Sequence, residues 1–180
     1  MRSIAIMAFL ALLITPCIAE PDSVTTGPYN ISFDLGLPND AFEIDIKEPE
    51  SSETLGGATT ETYTFWIKIN NSTASNSAMV NIYVAEQTVV PSPRRVSLNI
   101  KEIKSLGLSG VKGEARQIDG KDGVVCSGFE LVDRKMETTY FADYYLSNSE
   151  KVFVYSGIPW DEGTLSLLKT IRVEKTSETS

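Results

Sequence analysis

From Tyr29 onward the chain alternates apolar and polar residues in short runs. "YNISFDLG" sets Ile31, Phe33 and Leu35 on one side, and "AFEIDIKE" turns Phe42, Ile44 and Ile46 inward against Glu43, Asp45 and Lys47. A period of two marks strands with one buried face. "TYTFWIKI" alternates Tyr63, Phe65, Ile67 and Ile69 with Thr62, Thr64, Trp66 and Lys68, which puts Trp66 on the face opposite the main core. "AMVNIYVAE" supplies a fourth strand. The polar stretches "PESSETLGGATTE" and "NNSTASNS" lack periodicity and read as loops.

After the two prolines of "VVPSPRR" the period changes. Val96, Ile100, Ile103 and Leu106 recur at helical spacing, and Gly107 is placed to end the helix. Strands then return: "GEARQID", "VVCSGFELVD", "TTYFADYYLS" and "KVFVYSG", joined by "DGKDG", "RKME" and "NSE". Connections this short allow only antiparallel hairpins. The expected core of this meander is Val124, Phe129, Leu131, Phe141, Leu146, Phe153 and Tyr155. In "PWDEGTLSLLKTIRVE" the positions Leu165, Leu168 and Ile171 predict a second helix running to the end of that stretch, with Asp161 and Glu162 complementing its positive N-terminal end. The order of strands, helix, strands, helix predicts an α+β domain, an antiparallel sheet of about six to eight strands flanked by two helices.

This order of elements resembles the extracytoplasmic PsbP-like family over roughly residues 60 to 175, carried by "AMVNIYVAEQ", "VSLNIKEIKSLG", "ARQIDGKDGVVCSGFEL", "TTYFADYYLS", "KVFVYSGIPWDE" and "LSLLKTIRVE". The resemblance lies in the pattern and includes no diagnostic motif. It implies a PsbP-like sandwich acting as an accessory or binding module, and no residue role follows from it.

The N-terminal stretch "MRSIAIMAFLALLITPCIAEP" has an early Arg2, an apolar run from Ile4 to Ile14 and small residues before Glu20. That is the form of a signal peptide cleaved after Ala19, with an apolar core too short for a permanent span. The expected organisation is a signal at 1–19, one α+β domain at 20–175 and a disordered tail at 176–180, and the expected location is secreted or cell-surface. Lipid anchoring at Cys17 is the competing reading; Pro16 is a poor neighbour for it, which favours simple secretion.

The sequence carries 16 basic and 24 acidic residues, and loss of Arg2 with the signal leaves a charge of about −9. With no basic stripe to displace counterions from phosphates, nucleic acid is not an expected partner. Histidine is absent, which removes Ser-His and Cys-His nucleophiles and the usual zinc and haem ligands. Cys126, inside an apolar run, reads as a small buried hydrophobe. "DGKDG" reads as a hairpin turn, because Lys121 and Gly123 stand where a calcium loop needs oxygen ligands. The acids between Asp34 and Glu53 read as a solvated face.

No cofactor and no metal site is expected, and no catalytic set emerges. Candidate partner contacts are Trp66, Trp160 and Tyr144, and candidate glycosylation positions are Asn30, Asn70 and Asn71, each heading an N-x-Ser/Thr triplet. The expected function is a secreted, non-enzymatic binding or accessory domain with an unknown envelope or extracellular partner. The alternatives are a carboxylate-dependent enzyme acting on envelope polysaccharide and a glycosylated surface-structure component.

Overall fold

A wide antiparallel sheet forms the frame, and its two faces are covered by different means. The computed structural model describes residues 21–53, 57–70, 77–157 and 161–176; side chains of 161 and 162 are outside this description. In chain order the elements are β1 (Asp22–Thr26), β2 (Tyr29–Phe33), a short 3-10 turn (Asn39–Ala41), β3 (Phe42–Ile46), β4 (Glu50–Glu53), β5 (Thr59–Ile69) and β6 (Ser77–Val84). Then follow α1 (Ser92–Ser105), β7 (Ser109–Ile118), β8 (Lys121–Val132), β9 (Lys135–Ser147), β10 (Glu150–Ser156), α2 (Asp161–Thr170) and β11 (Arg172–Lys175).

The large sheet runs β3-β5-β6-β10-β9-β8-β7, with β4 added beside β5, and the small sheet runs β1-β2-β11. Every pairing described is antiparallel. Hairpins join β7 to β8 and β8 to β9 through two-residue turns whose central residues all have positive φ, Asp119 (52°) with Gly120 (67°) and Asp133 (48°) with Arg134 (68°). Two consecutive positive φ values make the turn whose twist matches that of the flanking strands, and an Asp-Gly pair is well suited to it.

Because side chains alternate, the two faces separate cleanly. On the first face Phe65, Ile67, Val80, Ile82, Val152 and Val154 are all essentially inaccessible. They pack against Tyr29, Ile31 and Phe33 of the small sheet and against Leu167, Leu168 and Ile171 at α2. Ring contacts tie the two sheets together: Phe33 stacks near Phe65 at 6.1 Å between centroids, and Tyr29 meets Tyr63 edge-on at 5.3 Å. Each such pair adds about 0.5–1.5 kcal/mol beyond area burial. The second face carries a smaller cluster, Val124, Cys126 and Phe141 under Ile103 of α1, with Val96, Ile100 and Phe153 alongside.

This architecture corrects the expected α+β sandwich of six to eight strands between two helices. Strand accounts for 59% of the structure and helix for 18%, so it is a β-rich fold of eleven strands in two antiparallel sheets among the described residues. Neither helix forms a layer: α1 lies mainly over β7 and β8 and reaches β9 through Arg95, Asn99 and Ile103, and the layer on the other face is the small sheet. Three strands account for the difference. β1 has only Val24 as an aliphatic residue, and β4 is the fully exposed "ESSE". β11 takes the last residues of the predicted second helix, where the β-branched Val173 favours extended backbone and every residue pairs with β2.

The predicted α2 begins at Asp161 as expected and ends at Thr170. Its buried positions are Gly163, Thr164, Leu167 and Leu168, with Leu165 only half-buried and the buried Ile171 following directly after the helix. Two expected core residues also fail: Phe129 is 43% and Leu131 67% exposed, because the β8–β9 hairpin runs past the end of its cover. Leu106, counted on the inner face of the first helix, is 64% exposed. It is the residue at which α1 ends before Gly107, φ 94°.

The small sheet is clasped to the large one by a buried carboxylate. Glu150 accepts hydrogen bonds from Tyr29 Oη (2.8 Å), Lys175 Nζ (2.7 Å) and Ser147 Oγ (2.8 Å), thereby joining β2, β11, β9 and β10. Burial alone would raise the Glu150 pKa, but these donors together hold it below the ordinary glutamate value. A depressed folded pKa means stability that is present above the unfolded pKa, about 4.3, and is lost as pH falls through the folded value. Glu150→Gln is expected to cost about 1–2 kcal/mol at neutral pH. Urea midpoints measured at pH 7 and at about pH 3 check this: the gap between wild type and variant closes at the acidic end.

Candidate functional site

Arg95 is the first signal of a site, because a guanidinium on a helix that faces a sheet should be solvated and this one is 3% exposed. It projects from α1 onto the second face of the large sheet and meets Asp143 of β9, whose side chain is only 2% exposed. Arg95 Nη1 stands 2.9 Å from Asp143 Oδ1, yet neither atom has an aligned hydrogen bond, so this is an ion contact rather than a directed bond. Arg95 Nη2 donates to the backbone oxygen of Asp122 at 2.6 Å, and the guanidinium lies 4.8 Å from the Tyr145 ring centroid. One helical turn on, at the i+4 position on the same face, Asn99 Nδ2 donates to Asp143 Oδ2 at 2.7 Å. Lys151 of β10 reaches the same oxygen at 3.5 Å.

The cluster borders a cavity of about 370 Å3 between α1 and the part of the sheet it leaves bare. Ile103, Leu106, Phe141 and Phe153 form its apolar wall, and Tyr83, Asn99, Glu102, Asp143 and Lys151 its polar side. Cross-strand registry accounts for this convergence: Tyr83 pairs with Lys151, Lys151 with Tyr145, and Phe153 with Asp143. Beyond the cavity the bare face continues through Asn81, which accepts from Thr64 Oγ1 (2.8 Å) and donates to Tyr83 Oη (2.9 Å). A site of this size, with an apolar wall and a few convergent polar groups, has the anatomy of a small-molecule pocket.

The "DGKDG" turn sets the position of α1. Asp122 Oδ2 accepts the Ser92 N–H at 3.3 Å, which places a carboxylate at the positive start of the helix. On the other side of the sheet, Asp119 Oδ2 accepts from Lys121 (3.1 Å) and from the Val173 N–H of β11 (3.2 Å). The hairpin-turn reading therefore holds, and the same turn also anchors elements on both faces.

Of the candidate contacts, Trp66 lies half-buried on the second face, paired with Asp45 and Met79. Tyr144 belongs to the first face at 0% exposure and offers no contact surface, which corrects the expectation for it. Trp160 and Asn71 fall outside the described residues. Asn70 is exposed, with its Nδ2 donating to the Asp40 backbone oxygen at 2.6 Å, and Asn30 is exposed in the middle strand of the small sheet. Among the acids between Asp34 and Glu53, Asp45 is bound by Lys47 (2.7 Å) and Lys68 (2.6 Å), whose hydrogen bonds lower its pKa. Asp22 has a raised pKa, through partial burial and then the charge of Asp34, and lies on the small sheet, away from the cavity.

The sequence reading missed Arg95, Asn99, Asp143 and Lys151. One signal was present: Arg95 and Asn99 continue the Val96–Ile103 stripe of α1 with polar residues four apart. The rest of the site depends on pairing between strands. No family model, curated protein or solved structure matches the chain. Among the described residues no helix is long and apolar enough to cross a membrane.

Asp143→Ala should be strongly destabilising, by about 3–5 kcal/mol, because it strands the Arg95 charge away from water. The paired change Arg95→Met with Asp143→Leu is expected to recover at least half of that loss, as read by chemical denaturation of all three variants. The Cys126 thiol is fully buried, and burial, then the Asp143 charge, pushes its pKa up to about 11. It should resist iodoacetamide in the native protein and react only on unfolding, a difference that mass spectrometry of the alkylated chain reads directly.

Proposed function

We propose that the chain, once freed of residues 1–19, is an exported binding module of the cell envelope or its surroundings, and that it holds a small ligand in the groove beside α1. The observation that carries this reading is the unequal covering of the large sheet. Its first face is covered by the small sheet and α2, whereas the second is roofed by α1 mainly over β7 and β8, with contacts reaching only as far as β9, leaving a cavity of about 370 Å3 floored by a buried carboxylate. Apolar side chains left at such an edge lose stabilisation to water unless something covers them.

A binding role also suits the polar groups there. Asp143 is held in place by Arg95, Asn99 and Lys151 and so presents a fixed acceptor rather than a free base. Two carboxylates, Glu102 and Asp143, line the cavity, but Asp143 is tied up by its partners and none of the acids between Asp34 and Glu53 joins them; Asp45, held by Lys47 and Lys68, sits at the β3 side of the sheet.

Thermal unfolding of the protein purified after export, screened against small molecules from its own envelope, tests the reading. A ligand present at about one hundred times its Kd adds about 2.7 kcal/mol, a rise in Tm of roughly 5–10 °C for a domain of this size. Such a rise, lost in a variant that fills the groove, Leu106→Trp, is the expected result. Turnover of a compound that raises Tm, abolished in Lys151→Met with the fold intact, would instead make the protein an enzyme.

A further inference from the structure

The geometry points to a neutral sugar ring as the ligand of the groove beside α1, an inference that rests on the binding role proposed above and names its substrate class. Three features of the cavity carry it, beginning with charge. Glu102 and Asp143 face the cavity as carboxylates, Lys151 faces it as an ammonium group, and Arg95 lies 2.9 Å behind Asp143. Two negative and two positive groups balance in formal charge, so no net charge favours an anion or a cation there.

Donor and acceptor chemistry is the second feature. Asp143 is a buried carboxylate whose Oδ1 has no aligned hydrogen bond, while its Oδ2 accepts from Asn99 and lies near Lys151. A carboxylate accepts about four hydrogen bonds and an ammonium donates three, so each keeps capacity free. Asp143 Oδ2 and Lys151 Nζ, an ion pair 3.5 Å apart, have the combined capacity to accept from one and donate to the other of two neighbouring hydroxyls. A hydrocarbon chain would add no hydrogen bond to the buried Asp143 carboxylate or to the part-buried Lys151.

Shape is the third. Phe153 and Phe141 stand on adjacent strands at the apolar wall, with Tyr83 on the neighbouring strand, and the C–H face of a sugar ring packs on such rings. The volume, about 370 Å3, lies at the lower end of ligand pockets and suits one ring rather than a long chain.

The test is two-dimensional NMR of the isotope-labelled exported protein, titrated with neutral hexoses and N-acetylhexosamines, an alkylamine and a fatty acid. Saturable shifts confined to Asn99, Lys151, Phe153 and their neighbours with a neutral sugar support the inference. Affinity should then fall at least tenfold in Lys151→Met and about threefold in Tyr83→Phe, which keeps its ring; native spectra establish that each variant is folded. Shifts at the same residues with the amine or the fatty acid and none with sugars would overturn the sugar class while leaving the binding role standing. Sugar binding lost in Trp66→Ala but unchanged in Lys151→Met would move the site to the β5 side of the sheet and overturn the groove. Silence with every probe would overturn the sugar inference, and the Tm screen would then decide the binding role separately.

Discussion

The molecule is governed by a problem of coverage. A strand turns alternate side chains to opposite faces, and in β8, β9 and β10 both sets are apolar, so the centre of the large sheet must be shielded twice. The first shield is broad: β1, β2, β11 and α2 bury a continuous core from Phe65 to Val154. The second is a single helix of 14 residues, about 10 Å wide with its side chains, over a sheet whose strands repeat every 4.8 Å or so. One helix can roof only about two strands, and the rest of that face is left to water, to polar networks such as Thr64–Asn81–Tyr83, and to the groove.

Both shields depend on the same hairpin. Asp119 and Asp122 stand three residues apart in a turn made possible by positive φ at Asp119 and Gly120, and they serve opposite faces. Asp122 receives the start of α1, and Asp119 receives the Val173 amide and faces Arg172 Nε at 3.7 Å. β11, four residues long, could not hold its place by its own pairing alone; it is fixed by Asp119 at one end and by the Lys175–Glu150 contact at the other. The turn thus couples a helix on one side of the sheet to an edge strand on the other.

What the sequence made legible was the part decided by local period. The strands with three or more aliphatic or aromatic residues in alternation, β5, β6, β9 and β10, were visible, as were the start of the second helix and the Asp-Gly turn; α1 begins at Ser92, four residues before the Val96 at which its apolar stripe starts. The strands that escaped notice, β1 and β4, owe their extended form to pairing with a neighbour, and nothing in "ESSE" distinguishes strand from loop. β11 was assigned to a helix because the apolar stripe that ends at Ile171 carries no signal that the next four residues leave the helix to pair with β2. The sandwich expectation failed for a related reason: two helices were counted as two layers, whereas layer width depends on which residues pair, and short polar strands can build a sheet that local pattern does not show. For the groove, each residue was ordinary by itself. Asp143 in "FADYY" reads as an outward acid, and only the placement of Arg95 above it makes it a buried charge.

That buried pair is costly for what it does for the fold. Two charges taken from water regain their solvation only with full hydrogen bonding, and a well-packed apolar pair of similar volume is often at least as stable. Here the bonding is incomplete, since Arg95 Nε and Nη1 and Asp143 Oδ1 all lack an aligned partner. Stability alone would therefore be served as well by leucine and methionine. What an apolar pair could not provide is a carboxylate held at the floor of a cavity with one apolar wall, its orientation set from behind by a guanidinium that is itself packed on Tyr145 and tied to the Asp122 backbone. A fixed acceptor supported by a second set of contacts is the arrangement that recognition requires. The energetic weakness of the pair as a structural element is thus an argument in favour of the proposed binding role of the groove.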